Sequence, residues 1–476
     1  MNIGLPIAVR AAREGASIAL VLRSGATISY AALDASIRSV AARLRNAGIR
    51  RGMVVALDVT APRAALVAIL AIARLGAAAA SMALSESAAS IVLADRGALR
   101  RRPWIPFEAT WLDQPPPGGE EEFVGGGEEI AVVHASSGTT GKPKGVAVSH
   151  ALLAARLGTL AGAVPMGERA RVLCTVRAIS CYGFDTCLRV LHGGGTLVLA
   201  SRSEDVAASL VRDRVEHLTL NPLWVERLLD AAPAGTRPFP TLMRIECAGS
   251  HLARPLVRAA RARLCDEVWN HYGTTEAGCI GAASLLGFDE DMSEATVRAA
   301  PGVEVGAIDA HGAALPPGAH GRLRARGSGF VDRYVDDAHA SADAFRDGWH
   351  VTADEGSASA DGAVRIDGRV GESLNIGGYK VSPRTIEDAL RSVRGVRDAV
   401  AFGVSAASGI DELWAAVVVG PASARASLLL DVGARLGALA PRVLVTVDAI
   451  PRNDAGKVCR DELVASARAA QAAGTA

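Results

Sequence analysis

Apolar residues recur at two different spacings in the first third of the chain. In residues 32–45 and 62–75 they lie three and four positions apart, which predicts two amphipathic helices. Residues 53–59 and 130–134 are short apolar runs typical of buried strands, and residues 149–163 predict a further helix. Such alternation of strands and helices is typical of a layered α/β domain.

The pattern changes in the second half of the chain. Over residues 302–366, short strand-like runs are separated by Gly, Pro and Asp turns, which predicts a small β unit. A compact α+β module and an alanine-rich helix after residue 461 follow. The module is predicted to contain helices at 385–393 and 423–439 and strands at 400–404 and 413–419.

These elements predict an α/β protein with two domains. Residues 1–368 are expected to form a large N-terminal domain of layered α/β subdomains plus the small β unit. Residues 369–476 are expected to form a small, mobile α+β domain. Residues 114–127 are rich in Pro, Gly and Glu and predict a loop or linker.

Charge and cysteine usage exclude several classes of protein. The 51 Lys and Arg residues nearly balance 50 Asp and Glu, so there is no basic excess to bind nucleic acid. Seven cysteines without a CxxC pair indicate neither a disulfide framework nor a structural zinc site. The longest apolar run, 64–73, is too short for a membrane span, and residues 1–15 predict no signal peptide. We therefore expect a cytoplasmic protein.

Lysine is rare in this arginine-rich chain. It occurs only at Lys142, Lys144, Lys380 and Lys457, and each lies in a segment that contains glycine. An ammonium group is a compact charge on a thin stem, whereas a guanidinium group is a broad planar fork. The four lysines therefore favour point charges placed in tight sites, with chance as the alternative.

The segment 136–145 (Ser-Ser-Gly-Thr-Thr-Gly-Lys-Pro-Lys-Gly) combines glycines, hydroxyls and two of these lysines after a predicted strand. Glycine-rich backbone can turn its N–H groups inward, and together with hydroxyl donors it can hold phosphate oxygens. It is not a Walker A loop, because Pro143 follows Lys142 where Ser or Thr is required. A flexible surface loop is the alternative interpretation.

Two further segments carry polar groups that suit a nucleotide. Residues 270–276 (Asn-His-Tyr-Gly-Thr-Thr-Glu) offer an aromatic face for a purine and a carboxylate for magnesium. Residues 347–354 end in Asp354, which can accept hydrogen bonds from both ribose hydroxyls. Taken singly, each is equally consistent with a turn that an acidic residue closes.

In their order along the chain, these segments resemble the motifs of the acyl-adenylate-forming superfamily. That superfamily includes acyl- and aryl-CoA ligases, luciferases and peptide-synthetase adenylation domains. The resemblance covers nearly the whole chain. Its motifs here are Ser-Ser-Gly-Thr-Thr-Gly-Lys-Pro-Lys-Gly, Tyr-Gly-Thr-Thr-Glu, Trp-His-Val-Thr-Ala-Asp, Asp-Gly-Arg, Gly-Gly-Tyr-Lys-Val-Ser-Pro and Pro-Arg-Asn-Asp-Ala-Gly-Lys.

The resemblance implies a two-step activity that consumes ATP. A carboxylic acid is converted to an acyl-AMP with release of pyrophosphate, and the acyl group then passes to a thiol of coenzyme A or of a phosphopantetheinyl carrier protein. Catalytic roles fall on Lys457, Thr275 and Glu276, with Glu276 placing Mg²⁺. The implied nucleotide-binding residues are Ser136, Ser137, Gly138, Thr139, Thr140, Gly141, Lys142, Lys144, Tyr272, Gly273, Thr274, Asp354 and Arg369.

A substrate pocket and a hinge are also implied by the resemblance. Tyr182, Phe184 and Asp185, together with Gly249 and Ser250, would line the acyl pocket. The hinge position that commonly holds Asp or Lys in relatives is Gly371 here, which would loosen the hinge. The ribose motif reads Thr-Ala-Asp where Thr-Gly-Asp is usual.

Three functions remain open at this point. Acyl- or aryl-CoA ligase activity is favoured, because residues 180–184 and 378–383 are more similar to those enzymes. Phe184-Asp185 is similar to the Phe-Asp of amino-acid-activating relatives, in which the Asp pairs with the α-amine, so a stand-alone adenylation enzyme is the alternative. No Leu-Gly-Gly-x-Ser segment occurs, so a carrier protein would act in trans. A catalytically silent nucleotide-binding protein is the third.

Overall fold

The computed structural model describes residues 1–84, 89–95, 103–118, 123–136, 143–200, 203–233, 235–250, 252–286, 296–370, 374–376, 379–381, 383–405, 411–420, 432, 436, 440–453 and 456–472.

The helices are α1 Leu5–Glu14, α2 Tyr30–Asn46, α3 Pro62–Arg74, α4 His150–Ala163, α5 Cys181–His192, α6 Ser203–Arg212, α7 Pro222–Ala231, α8 Arg254–Arg263, α9 Ala338–Ala344, α10 Pro383–Arg391 and α11 Arg460–Ala472. The strands are β1 Ile18–Val21, β2 Thr27–Ser29, β3 Val54–Asp58, β4 Ala78–Ser81, β5 Ile91–Ala94, β6 Trp104–Pro106, β7 Ile130–Ser136, β8 Lys144–Ser149, β9 Arg171–Cys174, β10 Thr196–Val198, β11 His217–Leu220, β12 Arg244–Ala248, β13 Glu267–Thr274, β14 Gly278–Ser284, β15 Thr296–Ala299, β16 Glu304–Ile308, β17 His320–Arg326, β18 Phe345–Arg346, β19 Trp349–Ala358, β20 Ala363–Arg369, β21 Leu374–Ile376, β22 Tyr379–Val381, β23 Val396–Ser405, β24 Asp411–Val419 and β25 Val443–Thr446.

Two sheets build the N-terminal part of the molecule. One has the order β6-β5-β3-β4-β7-β8, with β7 and β8 antiparallel. Helix α3 lies buried on it, and residues 66–73 of this helix are fully buried, which explains their unbroken apolar run. The other sheet has the order β16-β17-β19-β20-β15-β14-β13-β12-β11-β9-β10-β1-β2, with β18 paired to β19.

The middle of the larger sheet is parallel and determines where the site lies. Strands β10, β9, β11, β12 and β13 pair in parallel, so their carboxyl ends meet at one edge. Helix α4, which precedes these strands, and helices α5 and α7, which follow β9 and β11, begin at side-chain caps: Ser149 for α4, Ser180 for α5 and Asn221 for α7. Such caps fix where each helix starts and therefore where its first turn points.

The C-terminal residues form smaller sheets of their own. Strands β21 and β22 form a hairpin, and β23, β24 and β25 form a three-stranded sheet that packs on α10 and α11. Arg384 on α10 donates to the carbonyl of Ile366 on β20, 2.9 Å away. The domain boundary after residue 368 stays a prediction, although β20 ends beside it at Arg369.

The predicted elements agree with the structure within a few residues, and the α/β class is confirmed. The strands predicted for 302–366 are present, but they extend the larger sheet rather than form a separate one. The predicted helix 423–439 lies outside the described residues. In the part of the chain that the structure describes, no helix is long and apolar enough to cross a membrane.

Candidate active site

Among the predicted site residues that the structure describes, several lie at the carboxyl edge of the parallel strands. Gly249 and Ser250 follow β12. Thr274 ends β13, its parallel neighbour, and Thr275 and Glu276 follow in the next turn. Gly249 has a φ of +92°, a backbone conformation that side chains other than glycine rarely adopt. In open α/β sheets, ligands bind outside the carboxyl ends of the strands, so this edge is the expected position for a substrate.

Tyr272 and Asp354, predicted for adenine and ribose, contact each other. The Tyr272 hydroxyl donates to Asp354 Oδ2 at 2.8 Å, although 82 residues separate them. Arg369 is the cross-strand partner of Asp354, with its Nε 3.7 Å from Asp354 Oδ1. Burial and the neighbouring Asp354 raise the pKa of Tyr272, which keeps the hydroxyl a donor. These three residues therefore form one polar group beside the strand edge.

Glu276 is held by two residues to which the sequence analysis assigned no role, although His350 lies in one of the quoted motifs. The Tyr334 hydroxyl donates to Glu276 Oε1 at 2.8 Å, and His350 Nε2 lies 3.9 Å from Glu276 Oε2. His350 Nε2 is also 3.3 Å from Thr274 Oγ1. Burial lowers the pKa of His350, so the ring is neutral near Glu276. These contacts fix the orientation of the Glu276 side chain.

Lys144 is linked to the same group through Tyr334. Its Nζ lies 5.0 Å from the centre of the Tyr334 ring, within the range of a cation–π contact. Lys144 pairs with Ser136 across β7 and β8, so the described ends of the glycine-rich segment reach the site. Predicted residues Ser137, Gly138, Thr139, Thr140, Gly141 and Lys142, and the hinge residue Gly371, lie outside the described residues.

Arg156 on α4 fixes the turn that carries Thr275 and Glu276. This side chain is 1% exposed and donates to the carbonyls of Thr275 and Glu276 at 3.2 and 2.8 Å. It also donates to the carbonyl of Gly329 at 2.8 Å. A buried guanidinium bound to three carbonyls holds them in one arrangement. A lone arginine in an otherwise ordinary helix gives no motif by which sequence analysis could find it.

The start of α5, which carries Asp185, contacts this turn through Cys181. Cys181 Sγ lies 3.9 Å from the Thr275 carbonyl and 3.8 Å from Asp185 Oδ2. Asp185 is 4% exposed, and burial raises its pKa to about 6. Phe184, in contrast, packs in the hydrophobic core with its ring centre 6.2 Å from that of His134.

One turn after Asp185, Arg189 on α5 forms a buried ion pair with Glu246 on β12, which sequence analysis did not predict. Arg189 Nη2 is 2.6 Å from Glu246 Oε2 on β12. The ring of Tyr182 lies edge-on to that of His271, with centres 4.6 Å apart. Tyr182, Arg189, Glu246 and His271 form a buried polar cluster near the carboxyl edge of the parallel strands.

The loop that carries Lys457 lies near the same edge. Asn453 and Lys457 close a turn by a backbone hydrogen bond of 2.8 Å, and Gly456 within it has a φ of +77°. A Cβ atom added to Gly456 would lie 2.8 Å from Nδ2 of Asn221, the residue that follows β11. The C-terminal module therefore contacts the carboxyl end of a strand that neighbours β12.

A family model described as "AMP-binding enzyme" matches residues 7–98 and 79–335. The chain is 27% identical over 339 residues to indoleacetate–CoA ligase of Aromatoleum aromaticum, a match that covers 69% of this chain and 65% of that protein. It is 29% identical over 518 residues to isonitrile lipopeptide synthase of Streptomyces coeruleorubidus, covering 97% of this chain and 33% of that protein. The chain thus spans about two thirds of the first relative and a third of the second.

The fold is shared with solved structures along nearly the whole chain. ATP-bound MatB from Rhodopseudomonas palustris has a TM-score of 0.86 at 23% identity, covering 98% of this chain and 99% of that one. The fold and the ordered motifs are those of the acyl-adenylate-forming superfamily. Because the family model matches more than half of its residues, the chain belongs to the AMP-binding enzyme family.

Proposed function

We propose that this protein activates a carboxylic acid with ATP and transfers the acyl group to a thiol. The observation that carries the proposal is the position of the Lys457 loop. It contacts Asn221 at the strand edge that also presents Gly249 and the Thr274–Glu276 turn. This contact supports the proposal that the Lys457 ammonium group and the Glu276 carboxylate act in one reaction centre.

In the first step, a carboxylate oxygen of the substrate attacks the α-phosphorus of ATP. The bond between the α-phosphorus and the bridging oxygen breaks, and pyrophosphate leaves with the electron pair. Two unit charges at 4 Å repel by about 1 kcal/mol in water and about 4 at an effective dielectric near 20. Lys457 offsets this repulsion and orients the carboxylate, and Thr275 contacts the α-phosphate.

The described residues suit the rest of the nucleotide. Asp354, oriented by Tyr272, accepts from the ribose hydroxyls, and Lys144 supplies positive charge near the outer phosphates. Glu276 suits Mg²⁺, because that ion is commonly held by one or two protein carboxylates plus substrate phosphates. When bound, Mg²⁺ neutralises phosphate charge and stabilises the leaving pyrophosphate.

In the second step, a thiolate attacks the acyl carbon and AMP leaves. The acceptor is coenzyme A, in keeping with the CoA ligase among the relatives, or the phosphopantetheine of a separate carrier protein. Rotation of the C-terminal domain (369–476) about Gly371 would exchange the Lys457 loop for a thiol channel. All seven cysteines are free in the structure, which suits a reducing compartment such as the cytoplasm.

Pyrophosphate release with ATP and a panel of carboxylic acids tests the proposal, with hydroxylamine to trap the acyl-AMP. We expect release that depends on the acid and a hydroxamate of matching mass. ATP binding by calorimetry without release for any acid would instead indicate a catalytically silent nucleotide-binding protein. Product analysis with coenzyme A and with a loaded carrier protein distinguishes the acceptors.

Activation of an amino acid is the second candidate, and Asp185 favours it. This buried carboxyl has no partner for Oδ1 among the described residues, so it can accept a hydrogen bond from an α-ammonium group. Asp185→Asn would then abolish activity with amino acids while sparing other acids. If Asp185→Asn keeps the wild-type activity with every acid tested, a carboxylic acid without an amino group is the substrate.

A further inference from the structure

Arg189 and Glu246 form an ion pair in the interior beside the proposed acyl site. Their side chains are 6% and 1% exposed. Arg189 lies on α5, and Glu246 on β12 is flanked in register by Thr219 on β11 and Trp269 on β13. Removing two charges from water is costly unless their remaining hydrogen-bonding groups are satisfied.

Those remaining groups are left open. Arg189 Nε, Glu246 Oε1, the Tyr182 hydroxyl and both ring nitrogens of His271 are buried and lack hydrogen-bond partners among the described residues. Arg189 does donate to the carbonyl of Val164, but through Nη1. Buried polar groups are nearly always paired, so several open groups in one cluster indicate a bound polar group.

The polar cluster lies further from the carboxyl edge of the sheet than the position proposed for the reacting carboxylate. Cys181, at the start of α5, is near the Thr275 carbonyl, and Arg189 is eight residues, about 12 Å, further along the helix. Glu246 precedes Gly249 by three residues, about 10 Å along the strand. Helix α5 and strand β12 therefore both place the cluster about 10–12 Å from the strand edge. A carboxylic acid that contains one aromatic ring can span much of that distance.

The charges favour a neutral group. Arg189 and Glu246 compensate each other. Burial lowers the pKa of His271 to about 3, so that its ring is neutral, and burial also raises the pKa of Tyr182. The cluster thus offers donors (Arg189 Nε and the Tyr182 hydroxyl) beside acceptors (Glu246 Oε1 and one His271 nitrogen). A hydroxyl satisfies both kinds, whereas an alkyl chain satisfies neither.

We propose that Tyr182, Arg189, Glu246 and His271 bind a neutral tail group that both donates and accepts hydrogen bonds, so that the substrate is a short hydroxylated carboxylic acid. This assignment rests on the proposed acid activation. Sites built to pair a substrate hydroxyl discriminate strongly against the analogue without it, because their own polar groups are then left unpaired.

Matched acids that differ in one hydroxyl test the assignment: 4-hydroxybenzoate with benzoate, 4-hydroxyphenylacetate with phenylacetate, and 4-hydroxycinnamate with cinnamate. The wild-type kcat/KM for pyrophosphate release should favour the hydroxylated member of at least one pair by on the order of 100-fold. Tyr182→Phe and Glu246→Gln should each reduce that ratio at least about tenfold without changing the KM for ATP.

Thermal unfolding distinguishes this role from a structural one. The unpaired Tyr182 hydroxyl contributes no hydrogen bond, so Tyr182→Phe should keep the melting temperature. The matched control is Tyr30→Phe, because the Tyr30 hydroxyl donates to buried carbonyls of Leu191 and Gly195. This control should lower the melting temperature and leave the substrate ratio unchanged. The double variant Arg189→Met, Glu246→Leu, which keeps a packed core, should invert the preference toward the apolar acids.

The shift in melting temperature caused by each acid without ATP distinguishes two failures. One is failure of the cluster to bind a hydroxyl group, and the other is failure of the protein to activate acids. Selective stabilisation by hydroxylated acids without pyrophosphate release would retain the cluster as a binding site and reject acid activation. Equal turnover of both members of every pair, unchanged in the variants, would retain acid activation and overturn the assignment. An absence of both binding and turnover across the panel would overturn both.

Discussion

Gly456, the residue before Lys457, is packed against Asn221: a Cβ atom added to Gly456 would lie 2.8 Å from Asn221 Nδ2. Asn221 also caps α7 by accepting from the backbone N–H of Trp224, so its side chain cannot move freely. The C-terminal loop thus contacts a fixed part of the strand edge. The φ of +77° at Gly456 disfavours any residue other than glycine, and the contact with Asn221 leaves little room for a side chain there.

Gly456→Ala should therefore slow acyl-AMP formation. The added methyl group displaces the loop from Asn221, and a displacement near 1 Å at a reacting group can reduce the rate by on the order of 100-fold. Pyrophosphate release measures the effect. Gly362→Ala is the matched control, because Gly362 has a φ of +84° and no atom within 4 Å of the added Cβ. Equal slowing in both variants would assign the loss to backbone strain.

Lys457→Ala should separate the two half-reactions. We expect acyl-AMP formation to fall by at least about 100-fold, because the ammonium group stabilises charge in the first transition state. Thioester formation from supplied acyl-AMP should be retained to a larger extent, since it needs a different domain arrangement. Rapid-quench measurement of each half-reaction checks this. An equal loss in both would contradict the assignment of Lys457 to the first step.

Asp354→Ala should weaken ATP binding and spare the acid. The variant removes the acceptor that Tyr272 orients and that the ribose requires, so the KM for ATP should rise about tenfold or more. The KM for the acid should change little. Asp361→Ala is a suitable control, because Asp361 lies in the turn of the same hairpin and is exposed. An unchanged KM for ATP in Asp354→Ala would exclude a ribose contact.

Sequence motifs predicted those site residues that lie in short, recognisable segments. Glu276 and Asp354 stand in motifs, and Lys457 was marked by the scarcity of lysine. Their partners come from distant positions: Tyr334 lies 58 residues from Glu276, and Arg156 lies 120 residues from it. Only the fold brings such pairs together, so no spacing rule could select them.

The Arg189–Glu246 pair shows the same limit for specificity. Arg189 stands in a helix of mixed residues and Glu246 in an apolar strand, 57 residues apart. Phe184, chosen for its place beside Asp185, packs instead in the core. A helix alternates buried and site-facing positions, and its rotation is set by packing rather than by the motif.

Arg156→Met should lower the free energy of unfolding and reduce activity. Three carbonyls, those of Thr275, Glu276 and Gly329, would lose a charged donor in the interior. We expect a loss of about 3–5 kcal/mol in the free energy of unfolding, measured with urea. Arg156→Lys keeps the charge but cannot reach all three carbonyls, so it should recover stability only in part. Full recovery by lysine would contradict the role of the guanidinium fork.

Contact between the two parts of the molecule should depend on pH through Glu226. This α7 residue faces Asp398, Arg452 and Arg391 of the C-terminal module, and α7 also carries Asp230 nearby. Burial first, and the charge of Asp398 next, raise the pKa of Glu226 from 4.5 to about 7. Asp398 itself is paired with Arg452 at 2.7 Å and with Arg391 at 3.3 Å. Both arginines lower the pKa of Glu226, but burial and Asp398 outweigh them.

Because the pKa of Glu226 is raised in the packed state, its protonated form stabilises that state. The contribution is complete below about pH 4.5 and is lost as the pH rises through about 7. The melting temperature should therefore fall between about pH 4.5 and about pH 7 in the wild type, and Glu226→Gln should remove most of that fall. Asp230→Asn, on the same helix, should retain it, because Asp230 is the weakest of the four charged neighbours. An equal slope in the wild type and Glu226→Gln would mean that Glu226 remains ionised when the module is packed.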